Sequence, residues 1–120
     1  MSVTLHTTHG DLKLELLVEI APLACENFLA LAASGYYNDT LFHRLVPKFI
    51  IQGGDPISTG RGGQSIWGGH FKNEVKVTCR HDRRGMVSMA NSGVDTNASQ
   101  FFITLAKAPS LDMKYTLFAK

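Results

Sequence analysis

Two cysteines, one tryptophan, four prolines and a net charge of only +2 in 120 residues set limits before any motif is read. Cys25 and Cys79 are too few for a disulfide framework or a four-thiolate zinc site, so both are expected as free thiols in a reducing compartment. The near-balanced charge is too weak to draw the chain to nucleic acid by electrostatics alone, and no direct nucleic-acid binding is expected. No run approaches the roughly 20 apolar residues of a membrane-spanning helix, and the opening MSVTLHTTHGDLKLEL has neither a basic leader nor a long apolar stretch. The expectation is an intracellular protein with no membrane partner. Asn38 and Asn97 each begin an Asn-X-Ser/Thr triplet, which has no consequence without secretion.

What is present points to one folded unit. A chain of 120 residues has the length of a single domain, and a hydrophobic share of 44% with 18% charged residues is that of a globular chain. Residues 2 to 17 read as a hairpin turning at Thr8, His9 and Gly10, because Leu12, Leu14 and Leu16 alternate with Asp11, Lys13 and Glu15. Pro22 suits a first helical turn, and Cys25, Phe28, Leu29 and Ala32 follow the helical spacing until Gly35, which predicts a helix over 22–34. Short strands are expected near 41–46, 49–52, 85–90, 101–105 and 115–118, with Pro47 separating the first two and a glycine-dense loop over 53–69. Many short strands, glycine-rich turns and one helix predict a mainly β fold, closed or sandwiched.

Most catalytic readings fail on spacing. The glycine loop contains neither a P-loop nor a dinucleotide fingerprint, and its single GRGG is weak as an RNA motif. The five histidines form no metal-ligand pairing, so no metal site is expected. Ser88 or Ser99 could be set beside His43 and Asp55 as a triad on paper, but no nucleophile elbow supports it. His43 reads as a hydrogen-bonded histidine of the core or its rim. Arg80, His81, Arg83 and Arg84 read as a solvated turn, with docking of an acidic partner as the alternative.

The informative stretch is FHRLVPKFIIQGGD, residues 42–55, where Arg44 is set among apolar residues. A buried or half-buried guanidinium is costly unless paired, so Arg44 signals a ligand or a salt bridge. Strand parity puts Phe42 with Arg44 on one face and Ile50 with Gln52 on one face. Together with Asn91, Gln100, Phe49 and Phe102 this makes a constellation rich in amides and aromatics and poor in acid/base groups, suited to binding peptide or to forming a polar edge of the core.

FHRLVPKFIIQGGD, GRGGQSIWG, MVSMANSGVDTNASQFFIT and LDMKYTLF, in this order, resemble the cyclophilins, which are peptidyl-prolyl cis/trans isomerases. SLDMKYT and DPISTGRGGQSIWG look most like the small spliceosome-associated members. The resemblance implies an antiparallel eight-stranded β-barrel capped by helices, with a groove on its outer face. It implies Arg44 as the catalytic residue and Phe49, Ile50, Gln52, Ala90, Asn91, Gln100, Phe102, Leu111 and Tyr115 as the substrate groove. It also implies proline-containing peptides and proteins as partners, no cofactor, a nuclear or cytoplasmic location, and spliceosomal proteins as candidate partners. The competing reading keeps the fold but uses it as an interaction module in a larger assembly.

The departures from the family pattern carry their own expectations. Ile50 replaces a common methionine at similar volume, and Tyr115 replaces a histidine. Ser110 stands where prototype cyclophilins carry a tryptophan that contacts cyclosporin, so weak or no binding of that drug is expected. Ala98 stands for a glycine and is expected to be strained if its backbone is left-handed. The family's further C-terminal helix and closing strand have no counterpart before Lys120, so a strand edge is expected to be open.

Overall fold

The computed structural model describes residues 1–120 as seven strands, one α-helix and a short 3₁₀ turn. Strands β1 (Ser2–Thr7) and β2 (Gly10–Glu15) form the expected hairpin. Its bend is tied by the Thr7 hydroxyl donating to the Gly10 carbonyl at 2.6 Å. Leu14 and Leu16 are buried and Leu12 half-buried, as the alternation requires. The hairpin meets the main sheet through the Leu16–Ala119 bridge, where Glu15 and Lys120 exchange backbone hydrogen bonds.

Helix α1 (Pro22–Ala33) starts at the predicted proline, but its N-cap Ala21 has no side chain able to satisfy the free N–H groups. That role falls to Glu74, whose carboxylate accepts from the N–H groups of Leu23 at 3.1 Å and Ala24 at 2.8 Å. A negative group at this end also complements the helix dipole. The helix buries Ala24, Cys25, Phe28 and Leu31, and the Phe28 ring packs on Tyr37, Phe101 and Phe118 with centroids 5.1 to 5.2 Å apart. Burial pushes the Cys25 thiol up to about 11, with Glu74 adding to the shift, so it stays protonated at neutral pH. Both cysteines are free.

The main sheet runs β3 (Arg44–Val46), β4 (Ile50–Gly53), β6 (Phe101–Thr104), β5 (Val87–Met89) and β7 (Leu117–Ala119), every pair antiparallel. These strands are shorter than the sequence predicts at one or both ends, apart from the Gly53 and Ala119 extensions. The family resemblance implies eight strands, and seven are formed by these residues. One row of directly opposed residues reads Arg44, Gln52, Phe102, Ser88, and the next reads Leu45, Ile51, Ile103, Val87. Opposed residues share a face and adjacent rows alternate, so the sheet separates two environments. The second face covers the core beneath α1, with Val87, Met89, Phe101 and Ile103 joining Phe28 and Phe118. The first carries a smaller apolar cluster of Ile50, Phe102, Ala108 and Leu111, with Val46, Phe49, Ala90 and Tyr115 at its margin.

Phe42 departs from the strand-parity expectation. Because β3 begins only at Arg44, Phe42 is free of the pleat, and its ring packs edge-on against Phe101 at 6.0 Å, on the core side. The Ile50 and Gln52 pairing does hold, both lying on the Phe102 face.

Candidate active site

The groove face is built from the sheet outward. Arg44 donates through Nη1 to Gln52 Oε1 at 3.3 Å, Gln52 donates to Gln100 Oε1 at 2.9 Å, and Gln100 donates to the Gly62 carbonyl at 2.9 Å. Three long side chains from β3, β4 and the segment before β6 are thus fixed in sequence. Arg44 itself is exposed and has no carboxylate partner, which corrects the expectation of a buried guanidinium. It lies on the rim with N–H donors free for a ligand.

The far end of this chain rests on the glycine loop. Asp55 is fully buried, and its carboxylate accepts from the N–H groups of Ile57, Thr59, Gly60 and Gly62 at 2.7 to 3.1 Å. Burial opposes its charge, but these four donors outweigh that cost and bring its pKa down to about 2. Gly62 has no room for a side chain, since a Cβ there would run into the Asp55 carboxylate. Gly54 likewise sits at φ +88° with the Ser99 carbonyl 2.7 Å from where a Cβ would stand. The glycines fold the loop tightly around one anion that is its own, and the Gly62 carbonyl is thereby aimed at Gln100. Ala98, by contrast, is not in the left-handed region, so its methyl group is not strained there.

Beside the polar row lies the apolar pocket. Phe102 is 2% exposed and meets the Tyr115 ring edge-on at 5.3 Å, while Leu111 at the end of the Pro109–Leu111 turn is 8% exposed. Asn91 is half-buried and donates to the Lys114 carbonyl at 3.2 Å, tying the segment after β5 to the loop that carries Tyr115. A cleft of about 300 Å³ adjoins the row, lined by Gln52, Ala90, Asn91 and Gln100 on the groove side and by Arg61 and His70 beyond them. Arg44, Phe49, Ile50, Gln52, Ala90, Asn91, Gln100, Phe102, Leu111 and Tyr115 therefore all lie on one face of the sheet or along its border.

Two histidines depart from their sequence readings. His43 makes no hydrogen bond, both ring nitrogens being shielded without a partner, so the hydrogen-bonded rim reading is corrected. His81 does not belong to a solvated turn. It is 1% exposed, with Nδ1 2.9 Å from Asp112 Oδ1 and Nε2 2.6 Å from Ser88 Oγ. Asp112 feels burial raising its pKa, yet the His81 backbone N–H at 2.7 Å and the His81 ring hold it below the usual carboxylate range. The Asp112 carboxylate can only accept, so Nδ1 carries a proton toward it, while Nε2 and the Ser88 hydroxyl share the second hydrogen bond. Ser88 is fully buried, and this Ser-His-Asp arrangement faces Phe102 rather than a substrate. The sequence offers Ser88 with His43 and Asp55 on paper, whereas the fold places it with His81 and Asp112. The spacing of seven residues between His81 and Ser88, and 31 between His81 and Asp112, gives no local signal.

No group of three His, Cys, Asp or Glu side chains is placed to hold a metal ion, and the hydrogen-bonded row beside the pocket consists of amides and one guanidinium. Such a surface can hold an extended peptide and direct an N–H donor at it, with an apolar slot for a ring-shaped side chain. The family described as cyclophilin type peptidyl-prolyl cis-trans isomerase/CLD matches residues 2–120, and the chain belongs to it. Peptidyl-prolyl cis-trans isomerase 10 of Caenorhabditis elegans is 63% identical over 120 residues, covering all of this chain and 74% of the relative. The human peptidyl-prolyl cis-trans isomerase-like 3 is 59% identical with the same coverage. A crystal structure of a Cryptosporidium parvum cyclophilin type isomerase, obtained in the presence of the dipeptide Ala-Pro, superposes with a TM-score of 0.98 at 50% identity. That match covers 100% of this chain and 77% of the other.

Proposed function

We propose that the chain catalyses cis/trans isomerisation of X-Pro peptide bonds, residues 1–120 acting as one isomerase domain with Arg44 as the catalytic residue. The observation that carries the assignment is the hydrogen-bonded row Arg44, Gln52, Gln100 running beside the pocket of Ile50, Phe102 and Leu111. The uncatalysed bond faces a barrier of about 18–20 kcal/mol because rotation breaks amide resonance. In the twisted state the prolyl nitrogen regains a lone pair, and the Arg44 guanidinium donates to it. A hydrogen bond involving a charged group contributes about 1.5–3 kcal/mol, and 1.36 kcal/mol is tenfold in rate, so this donor supplies about one to two decades. The proline ring sits in the apolar pocket while Asn91 and Gln52 hold the neighbouring backbone, so that one side of the bond turns against a fixed other side. No proton is transferred and no covalent intermediate forms.

The substrates in this reading are proline-containing segments of other proteins, consistent with the Ala-Pro dipeptide used with the Cryptosporidium relative. An intracellular site of action, nuclear or cytoplasmic, and spliceosomal partners are proposed on the SLDMKYT and DPISTGRGGQSIWG resemblance. Weak or absent cyclosporin binding is proposed from Ser110, which is exposed and too small to reproduce an indole contact. The test is NMR exchange spectroscopy on an Ala-Pro peptide with sub-stoichiometric protein. Catalysed exchange is expected, falling about ten- to a hundredfold in Arg44→Ala with the fold intact; equal rates in the two proteins would reject the assignment.

A further inference from the structure

His81 is buried behind the apolar pocket, where it stacks on Phe102 and is hydrogen-bonded to Ser88, Ala108 and Asp112. Its ring stacks on Phe102 with centroids 6.1 Å apart and planes 28° apart. Its Nε2 is hydrogen-bonded to the hydroxyl of Ser88, the residue directly opposed to Phe102 across β5 and β6. Its Nδ1 and its backbone N–H both donate to Asp112, the residue that ends the turn carrying Leu111. Its carbonyl accepts from the Ala108 N–H at 2.9 Å, at the start of the same turn. One buried side chain and its own peptide groups thus hold both walls of the pocket, Phe102 on the sheet and Leu111 on the turn.

We propose that His81 is a positioning residue for prolyl binding, acting through Phe102 and Leu111 by clamping the Ala108–Asp112 turn to the Ser88–Phe102 pair. The inference deepens the isomerase reading and rests on it for the identity of the ligand. An imidazole suits the task because its two ring nitrogens make hydrogen bonds from opposite edges of one rigid, flat ring that also stacks on Phe102. Arg44 lies on the rim, bonded to Gln52 and not to His81 or its partners, so loss of the clamp loosens the pocket while leaving the donor to the prolyl nitrogen in place.

The experiment compares wild type, His81→Phe and His81→Asn, measuring Kd for an Ala-Pro peptide by NMR titration and the exchange rate at saturation, after each variant is shown to unfold cooperatively. Phenylalanine keeps the stack and the volume but drops both ring hydrogen bonds; asparagine retains an N–H near the position of Nδ1 and so the link to Asp112. The expected result is a Kd raised at least about fivefold in His81→Phe, with His81→Asn closer to wild type and the saturated rate falling less than Kd rises. A smaller rise, an asparagine variant no better than phenylalanine, or a loss confined to the saturated rate overturns the proposal. Should His81→Phe not fold, Asp112→Asn is judged by the same threshold in its place. Peptide binding without exchange in the wild type would remove the isomerase reading and leave the Kd comparison decisive, whereas no peptide binding at all would overturn both.

Discussion

The two faces of the main sheet are made from the same strands and serve opposite purposes. On one, Val87, Met89, Phe101 and Ile103 merge with Phe28 and Phe118 into a sealed core. On the other, Ile50, Phe102 and Leu111 form a small apolar patch bordered by Arg44, Gln52 and Gln100. β6 shows the contrast most directly: all four residues of FFIT are buried, yet Phe101 and Ile103 face the core while Phe102 and Thr104 face the groove. Burial alone does not identify the functional face. What separates the faces is the presence of polar side chains that are hydrogen-bonded to each other and still reach solvent.

The largest way to break this contrast is on the core side. Phe28→Ala removes a ring with 0% exposure that touches three other aromatic rings, and is expected to cost about 3–5 kcal/mol in chemical denaturation. A change below about 1 kcal/mol would mean that the two faces are not energetically distinct.

Acid acts next, through the loop that supports the groove. The Asp55 carboxyl titrates near 2 in the folded chain and near 3.8 when unperturbed. A depressed folded value means that the stabilisation is present above the unfolded pKa and is lost as pH falls through the folded one. At about 1.36 kcal/mol per pKa unit this is a contribution of about 2 kcal/mol, fully present above about pH 5 and removed by about pH 1 to 2. Unfolding measured across that range should show this slope, and Asp55→Asn should flatten it while lowering stability at neutral pH. An unchanged slope would contradict the loop's dependence on this anion.

A smaller effect tests the polar row. Gln100→Leu cuts the link from Gly62 to Gln52 and leaves Arg44 oriented by Gln52 alone. With a net hydrogen bond contributing about 0.5–1.5 kcal/mol, exchange is expected to slow about two- to tenfold. Stability should change less than it does in Phe28→Ala. The smallest change is Tyr115→Phe: the Tyr115 ring meets Phe102, but its hydroxyl makes no hydrogen bond, so peptide exchange should stay within about twofold of wild type. A larger loss would place that hydroxyl on the substrate.

Much of this was legible in the chain. The β2 alternation, the helix starting at Pro22 and the grouping of Arg44 with Gln52, Gln100 and Phe102 all appear in the structure close to where the residues place them. Strand ends were less legible, because β3, β5 and β7 are only three residues long and their limits are set by neighbouring strands rather than by composition. His81 was misread because its neighbours Arg80, Asp82, Arg83 and Arg84 are exposed, and local polarity outweighed a residue that turns inward alone.

By itself the sequence determined which residue types could meet a peptide: a guanidinium, three amides and a set of rings, with no nucleophile or metal ligands placed to act. Those choices follow from side-chain chemistry and short-range periodicity, which need no partner to be read. Only the tertiary structure decided that Glu74 caps a helix some fifty residues earlier, that Asp55 organises the loop beneath Gln100, and that His81 joins Ser88 to Asp112. The Glu74 and Asp112 bonds join segments far apart in the chain, and the Asp55 and Ser88 bonds depend on loop path and strand register, so none of the three can be inferred from neighbouring residue types alone.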